Sequence, residues 1–231
     1  MSRPRLHLPP ARWEPVVGLT PAERHHLVDV LRLGPDAAVE VFDGRGRRSL
    51  AALVFRGGEP VLALGQAESV TEAWPRLCLA VALLKGQKLD LVVRMAVEIG
   101  VSAIQPFVSE RSVREIGRGK LERLQNIAIQ AARQAQRALV PEVLPLGTLD
   151  EVQSAAPGCF LLHERGAEGL SLLLTEARPR CVAVGPEGGF SDAEVERAER
   201  AGARVIGLPL PVLQAQTAMV VAAALGCLRT P

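Results

Sequence analysis

Apolar and polar positions change rhythm along this chain at about Pro75. Before it the pattern is short and alternating. Ala38–Phe42 alternates and runs into Asp43-Gly44, a hairpin signal, and further short apolar runs at 50–55 and 61–64 are separated by Gly57-Gly58. Thr20-Pro21-Ala22-Glu23 has the spacing of a capping box with proline at the first helical position, so one short helix is expected through His25, Leu27, Val30 and Leu31. Several short strands with one helix predict a compact β-barrel over residues 1–72. After Pro75 the rhythm becomes strand, helix, strand, helix. Residues 77–84 are a continuous apolar run, as in a strand covered on both faces. Lys88–Ile99 reads as a helix with Gly100 at its C-cap, and Ala103–Val108 as a strand. The longest helix is expected over 120–139, halted before Pro141; further strands are expected at 160–162, 182–184 and 204–206, and an apolar helix over 213–228. Such alternation implies an α/β domain, 73–231, with a parallel sheet and helices on both faces.

One stretch changes character three times. The Val-rich run that begins at Cys181 is a buried strand that stops at Gly185. Gly185-Pro186-Glu187-Gly188-Gly189 can continue neither strand nor helix, because Pro186 has no N–H and the glycines accept φ > 0. Ser191-Asp192-Ala193-Glu194 is then a second capping box that starts a helix. A strand, a glycine loop and a helix N-terminus together are where open α/β sheets bind ligands. The loop is neither the G-x-G-x-x-G dinucleotide fingerprint nor a phosphate loop, which needs Lys-Ser/Thr after its second glycine.

Composition narrows the class. The chain has 231 residues, 48% of them hydrophobic, enough for a sizeable core. With no long apolar run and no charged-then-apolar leader, a soluble, non-exported, cytoplasmic protein without membrane association is expected. Cys78, Cys159, Cys181 and Cys227 form no C-x-x-C pair, which argues against a zinc site or a disulfide framework. His25 and His26 are adjacent and so point apart on a helix; no metal site is expected. His163-Glu164 follows a strand and can edge a pocket. No Ser, His and Asp constellation stands out. Gln130, Gln134 and Arg137, with Arg133 beside them, form a hydrogen-bonding stripe on the long helix. Arg111, Arg114, Arg118, Lys120 and Arg123 form a basic run ahead of it, and Arg3, Arg5, Arg12, Arg24 and Arg45 to Arg48 add charge to the β unit. A charge run is ordinarily a solvated face, but so many arginines point to RNA, held through phosphates because tyrosine is absent and aromatics are few.

The elements His26-Leu27-Val28-Asp29-Val30-Leu31-Arg32-Leu33, Phe42-Asp43-Gly44, Glu98-Ile99-Gly100-Val101, Glu110-Arg111-Ser112, Gln134 with Arg137, and Gly185 through Phe190 follow one another in order. Together they resemble the RsmE family, the small-subunit ribosomal RNA uracil-N3 methyltransferases of the SPOUT superfamily. The resemblance implies a PUA-like β-barrel followed by a SPOUT methyltransferase domain with a deep trefoil knot, an exception to the rule against knotted chains. It implies a homodimer, 16S ribosomal RNA as partner in the assembled small subunit, and S-adenosyl-L-methionine as cofactor. By the same resemblance Leu162, His163, Gly185, Pro186, Glu187, Gly188, Leu208, Leu213 and Thr217 would hold the cofactor, and Glu187, Gln214 and Arg137 are the catalytic candidates. Arg3, Arg5, Arg24, His26, Arg32, Arg111, Arg114, Arg133, Gln134 and Arg137 would meet RNA.

The chain departs from the family pattern in its final motif, where Pro211, Gln214 and Gln216 stand in place of two arginines and a glutamate, and Met95 replaces a lysine upstream of Glu98. Glutamine keeps hydrogen bonds but not charge. Two other readings therefore stay open: a cofactor-binding SPOUT protein with a different RNA target, and a non-catalytic RNA-binding module on the same scaffold.

Overall fold

A computed structural model describes residues 3–72, 76–112, 116, 117, 119–168, 173 and 180–228. The chain divides into two compact units, Met1–Glu72 with Ala132–Val140, and Ala73–Ala131 with Pro141–Pro231. The first unit is therefore not the continuous 1–72 that the change of rhythm suggests. Backbone bonds explain the addition: Val140 N–H donates to Gly44 O at 2.9 Å and Gly46 N–H to Ala138 O at 3.2 Å.

In the first unit β1 (Arg5–His7), β2 (Val16–Gly18), β3 (Ala38–Phe42), β4 (Arg47–Arg56) and β5 (Glu59–Ser69) form one sheet in the order β1-β3-β4-β5-β2. Only the β1–β3 pair is parallel. Both edge strands feed the same core, with Leu6 from β1 and Val17 from β2 packed alongside Val39, Val41, Leu53 and Leu62, so the sheet is curled. The expected capping box closes α1 (Pro21–Arg24), and the chain continues as a π-helical stretch, His25–Val30, whose Leu27 enters that core.

The second unit contains β6 (Cys78–Ala82), α2 (Lys88–Ile99), β7 (Ala103–Val108), α3 (Lys120–Gln134, counted to this unit as far as Ala131), β8 (Glu142–Val143), β9 (Gly147–Thr148) and α4 (Leu149–Ala155). It goes on with β10 (Phe160–Glu168), β11 (Cys181–Val184), α5 (Asp192–Arg200), β12 (Arg204–Gly207) and α6 (Ala215–Cys227). The strands lie in the order β12-β10-β11-β6-β7-β8, with β9 also on β7, and every pair is parallel. The central strand β11 is buried along its whole length, which is why its sequence does not alternate. Gly100 takes φ +121° at the end of α2, as a C-cap glycine can. Among the described residues no helix is long and apolar enough to cross a membrane.

Two expectations are corrected here. The long helix stops at Gln134 rather than 139, because Gln136 turns to φ +57° and Arg137 N–H closes back on Ala132 O at 2.9 Å. Arg137 therefore leaves the stripe begun by Gln130 and Gln134.

Candidate active site

Strand order places the site. Leu162 of β10 is in register with Val184 of β11 on one side and Ile206 of β12 on the other. The residues that follow, His163, Gly185 and Gly207, thus emerge side by side at the carboxyl edge of one parallel sheet, where ligands bind in such folds. Val184 is also in register with Val81, which brings the segment after β6 to the same edge. The irregular stretch 163–166 inside β10, the loop that begins at 185 and the one that follows Gly207 are consequently neighbours, although about forty residues of chain lie between the first and the last.

The glycine loop is built tightly. Gly185 and Pro186 are buried while Glu187 and Gly188 face outward. Gly189 N–H donates to Pro186 O at 2.9 Å, and Gly189 itself sits at φ +67°. A Cβ on Gly185 would come to 3.2 Å from the ring of Phe190, which is buried and stacks on Phe107 with centroids 6.2 Å apart. Arg111 Nη1 donates to Gly188 O at 3.0 Å and to Phe190 O at 3.3 Å. Beyond the loop, Ser191 caps α5 in a complete capping box. Its partner Glu194 is only 2% exposed, and its two oxygens accept the N–H groups of Ser191 and of Glu110, each at 2.9 Å.

Glu187 is a poor base as placed. Lys88 Nζ lies 2.9 Å from its carboxylate. Burial works against the charge on Glu187, but the Lys88 ammonium outweighs it and, with backbone N–H donors, holds the carboxyl below its ordinary pKa. Lys88 escaped the sequence reading because pattern along the chain carries nothing about a partner on another loop. Glu194 was legible only as a helix cap, not as a bridge to Glu110.

The third loop runs to α6, with Leu208 and Leu213 half-buried and Leu210 and Val212 exposed. Gln214 is the N-cap residue of α6, and its Oε1 accepts a hydrogen bond from Gln216 Nε2. Gln216 Oε1 is buried without a hydrogen-bond partner among the described residues. Thr217 is exposed in the first turn. Leu162 and His163 are half-buried, and His163 Nδ1 accepts the N–H of Arg165 at 3.2 Å. Nearby, the backbone of Gly166 in β10 lies so close to that of Ile206 and Gly207 in the parallel strand β12 that a Cβ on either glycine would overlap the facing strand.

The RNA candidates divide. In the first unit Arg3, Arg24, Arg32 and Gln134 are exposed, and Arg133 and His26 are half-buried neighbours. Burial, then the charges of Arg133 and His25, lower the His26 pKa from its ordinary value. Arg5 and Arg137, expected at an RNA surface, are instead buried. Arg5 is 2.8 Å from Glu40 and donates to the carbonyls of Arg133 at 3.1 Å and Arg137 at 3.2 Å. Arg137 forms a fork on Glu72, with Nη2 and Nε at 2.8 and 3.1 Å from Oε2. Each is engaged in holding residues 132–140 within the first unit. Arg111 is exposed but engaged with the glycine loop; Arg114 lies outside the described residues.

Residues 72–226 match the family model described as an RNA methyltransferase domain, and residues 19–61 the RNA methyltransferase PUA domain. The ribosomal RNA small subunit methyltransferase E of Synechocystis is 33% identical over 236 aligned positions, covering 91% of this chain and 72% of that protein. The crystal structure of the enzyme of that name from Neisseria gonorrhoeae, bound to S-adenosyl methionine, superposes with a TM-score of 0.85 at 28% identity, covering 96% of each chain. A Legionella pneumophila methyltransferase structure, in complex with the same cofactor, gives 0.84 at 26% identity, covering 97% of this chain and 96% of that one.

Proposed function

The chain belongs to the RsmE family of 16S ribosomal RNA small-subunit methyltransferases, a PUA-like domain followed by a SPOUT-like methyltransferase domain, and from that premise we propose that it methylates N3 of a uridine. It is an S-adenosylmethionine-dependent enzyme acting on 16S ribosomal RNA. The observation that supports a cofactor site, on which the finer reading depends, is the convergence on one sheet edge of the irregular stretch 163–166 of β10 and the loops after Val184 and Gly207.

The residues there fit the cofactor. Half-buried Leu162, Leu208 and Leu213 with buried Pro186 offer apolar walls, and the orphaned Oε1 of Gln216 is an acceptor awaiting a donor. When bound, S-adenosylmethionine supplies an electrophilic methyl group. The chain's own part is to bind, align and exclude. Uracil N3 must lose its proton, and it lies on the pairing edge, so the base is taken single-stranded or flipped out. Glu187, held ionised by Lys88, contributes negative charge at the glycine loop rather than a strong base, while Gln214 and Gln216 align by hydrogen bonds without adding charge. Arg24, Arg32, His26 and Arg133 serve phosphate binding on the first unit. Exposed Leu91 and Met95, one turn apart on α2, together with Val212, support a homodimer. A deep trefoil knot goes with the SPOUT-like domain of this family. A cytoplasmic location goes with the ribosomal substrate.

The test is methyl transfer from labelled S-adenosylmethionine to unmodified small subunits, followed by nuclease digestion and identification of the nucleoside. N3-methyluridine is expected. A different methylated nucleoside would reassign the target. No incorporation, with the cofactor still bound, would make this a non-catalytic member.

A further inference from the structure

We propose that Arg111 is a positioning residue for the glycine loop, setting the conformation in which that loop receives the cofactor, and is not a contact to RNA. This rests on the cofactor reading of the site above. Its basis is a set of cross-links between two loops that are distant in sequence. Arg111 Nη1 bonds the carbonyls of Gly188 at 3.0 Å and Phe190 at 3.3 Å. Its stem lies flat on the loop, since a Cβ added to Gly188 would come to 3.2 Å from Arg111 Cβ and 3.5 Å from its Cδ. The neighbouring residue adds a second link, Glu110 N–H to Glu194 Oε1 at 2.9 Å, and Arg197 a third, 3.1 Å from the Glu110 carboxylate.

The direction of these bonds matters. Turning the carbonyls of 188 and 190 toward a guanidinium, while Pro186 O takes the Gly189 N–H, commits the acceptors of 186, 188 and 190 to partners within the chain. A loop with glycines at 185, 188 and 189 has great conformational freedom, and an unfixed loop would have to be ordered by the ligand at the ligand's expense. A guanidinium nitrogen shared between two carbonyls, with a stem that covers Gly188, supplies that order in advance. An arginine reserved for phosphate would instead leave its donors pointing into solvent.

The experiment compares Arg111→Met and Arg111→Lys with the unaltered full-length protein by calorimetric titration of S-adenosylmethionine, by RNA affinity on a small-subunit fragment, and by amide hydrogen exchange over residues 185–191. For Arg111→Met the Kd for the cofactor is expected to rise about tenfold, with faster exchange across the loop and RNA affinity changed less than about twofold. Arg111→Lys keeps one point donor and recovers part of the loss. Weakened RNA binding with unchanged cofactor affinity and unchanged exchange would overturn the proposal. Exchange is read without any ligand. If the unaltered protein binds no cofactor, the functional reading falls, and the exchange data still decide for or against Arg111.

Discussion

Replacing Glu194 by glutamine keeps the shape of a buried side chain and removes one acceptor. The carboxylate accepts from Glu110 N–H through Oε1 and from Ser191 N–H through Oε2, both at 2.9 Å, in a residue that is 2% exposed. An amide satisfies one of these N–H groups and turns its own NH₂ toward the other. One charge-assisted bond is lost, and a buried donor is left facing a donor; taken together these cost about 3 kcal/mol. In a chain of this size that lowers the melting temperature by roughly 6–12 °C. The control is built into the fold. Glu151 closes the same capping box on α4 in an exposed setting, and its conversion to glutamine should cost under about 1 kcal/mol, because water replaces the lost acceptor. Thermal melts of Glu194→Gln and Glu151→Gln by circular dichroism make the comparison. Equal shifts for the two, or a shift under about 2 °C for Glu194→Gln, would refute the view that burial at the Glu110 bridge sets the cost.

Three further outcomes are expected. Arg137→Met strands the Glu72 carboxylate, 9% exposed, and should destabilise the protein by about 3–5 kcal/mol, whereas Glu72→Gln combined with Arg137→Met should recover part of the loss in urea melts; equal costs for single and double variants would count against a buried pair. Burial lowers the pKa of His7 against the opposing pull of Asp43, and that of His26 is lowered as well, so the unfolded chain binds the extra protons: stability is complete above pH 6.5 and falls as the pH drops below it, with both imidazoles titrating below 6.5 by NMR. Gln214→Arg restores a family charge at the N-cap of α6 and is expected to raise kcat for methyl transfer roughly tenfold with little change in cofactor Kd; an unchanged kcat would show that the neutral residue suffices.

What could be read in advance was what local chemistry dictates. Two of the capping boxes, Thr20 with Glu23 and Ser191 with Glu194, close as their spacing requires, and Thr148 with Glu151 carries the same legible signal, unused in the sequence reading, at the start of α4. The glycine loop was plain because proline and glycine leave the backbone few options there. The strands Arg5–His7 and Val16–Gly18 were invisible, since three residues hold no period. The turn at Gln136 defeated the helix reading because a non-glycine residue adopts φ +57° there, and that one dihedral carries Arg137 from an expected RNA stripe to Glu72. Lys88 with Glu187, and Arg111 with Gly188, are meetings between loops that only the strand register decides. The glycine loop and the helix start behind it were thus visible in their motifs, and their wiring was not.

The sheet order also fixes when, during synthesis, this protein can begin to work. Strand β6 leaves the ribosome early, yet its neighbour on the side of the site is β11, so Cys78 waits for Cys181. The loop at 163 in turn waits for β12 and for the first turn of α6. A growing chain therefore keeps its sheet unfinished, and the loops after Val184 and Gly207 unassembled, until β11, β12 and the first turn of α6 have been made. Cofactor retention by chains released at successive lengths should be absent until α6 is complete.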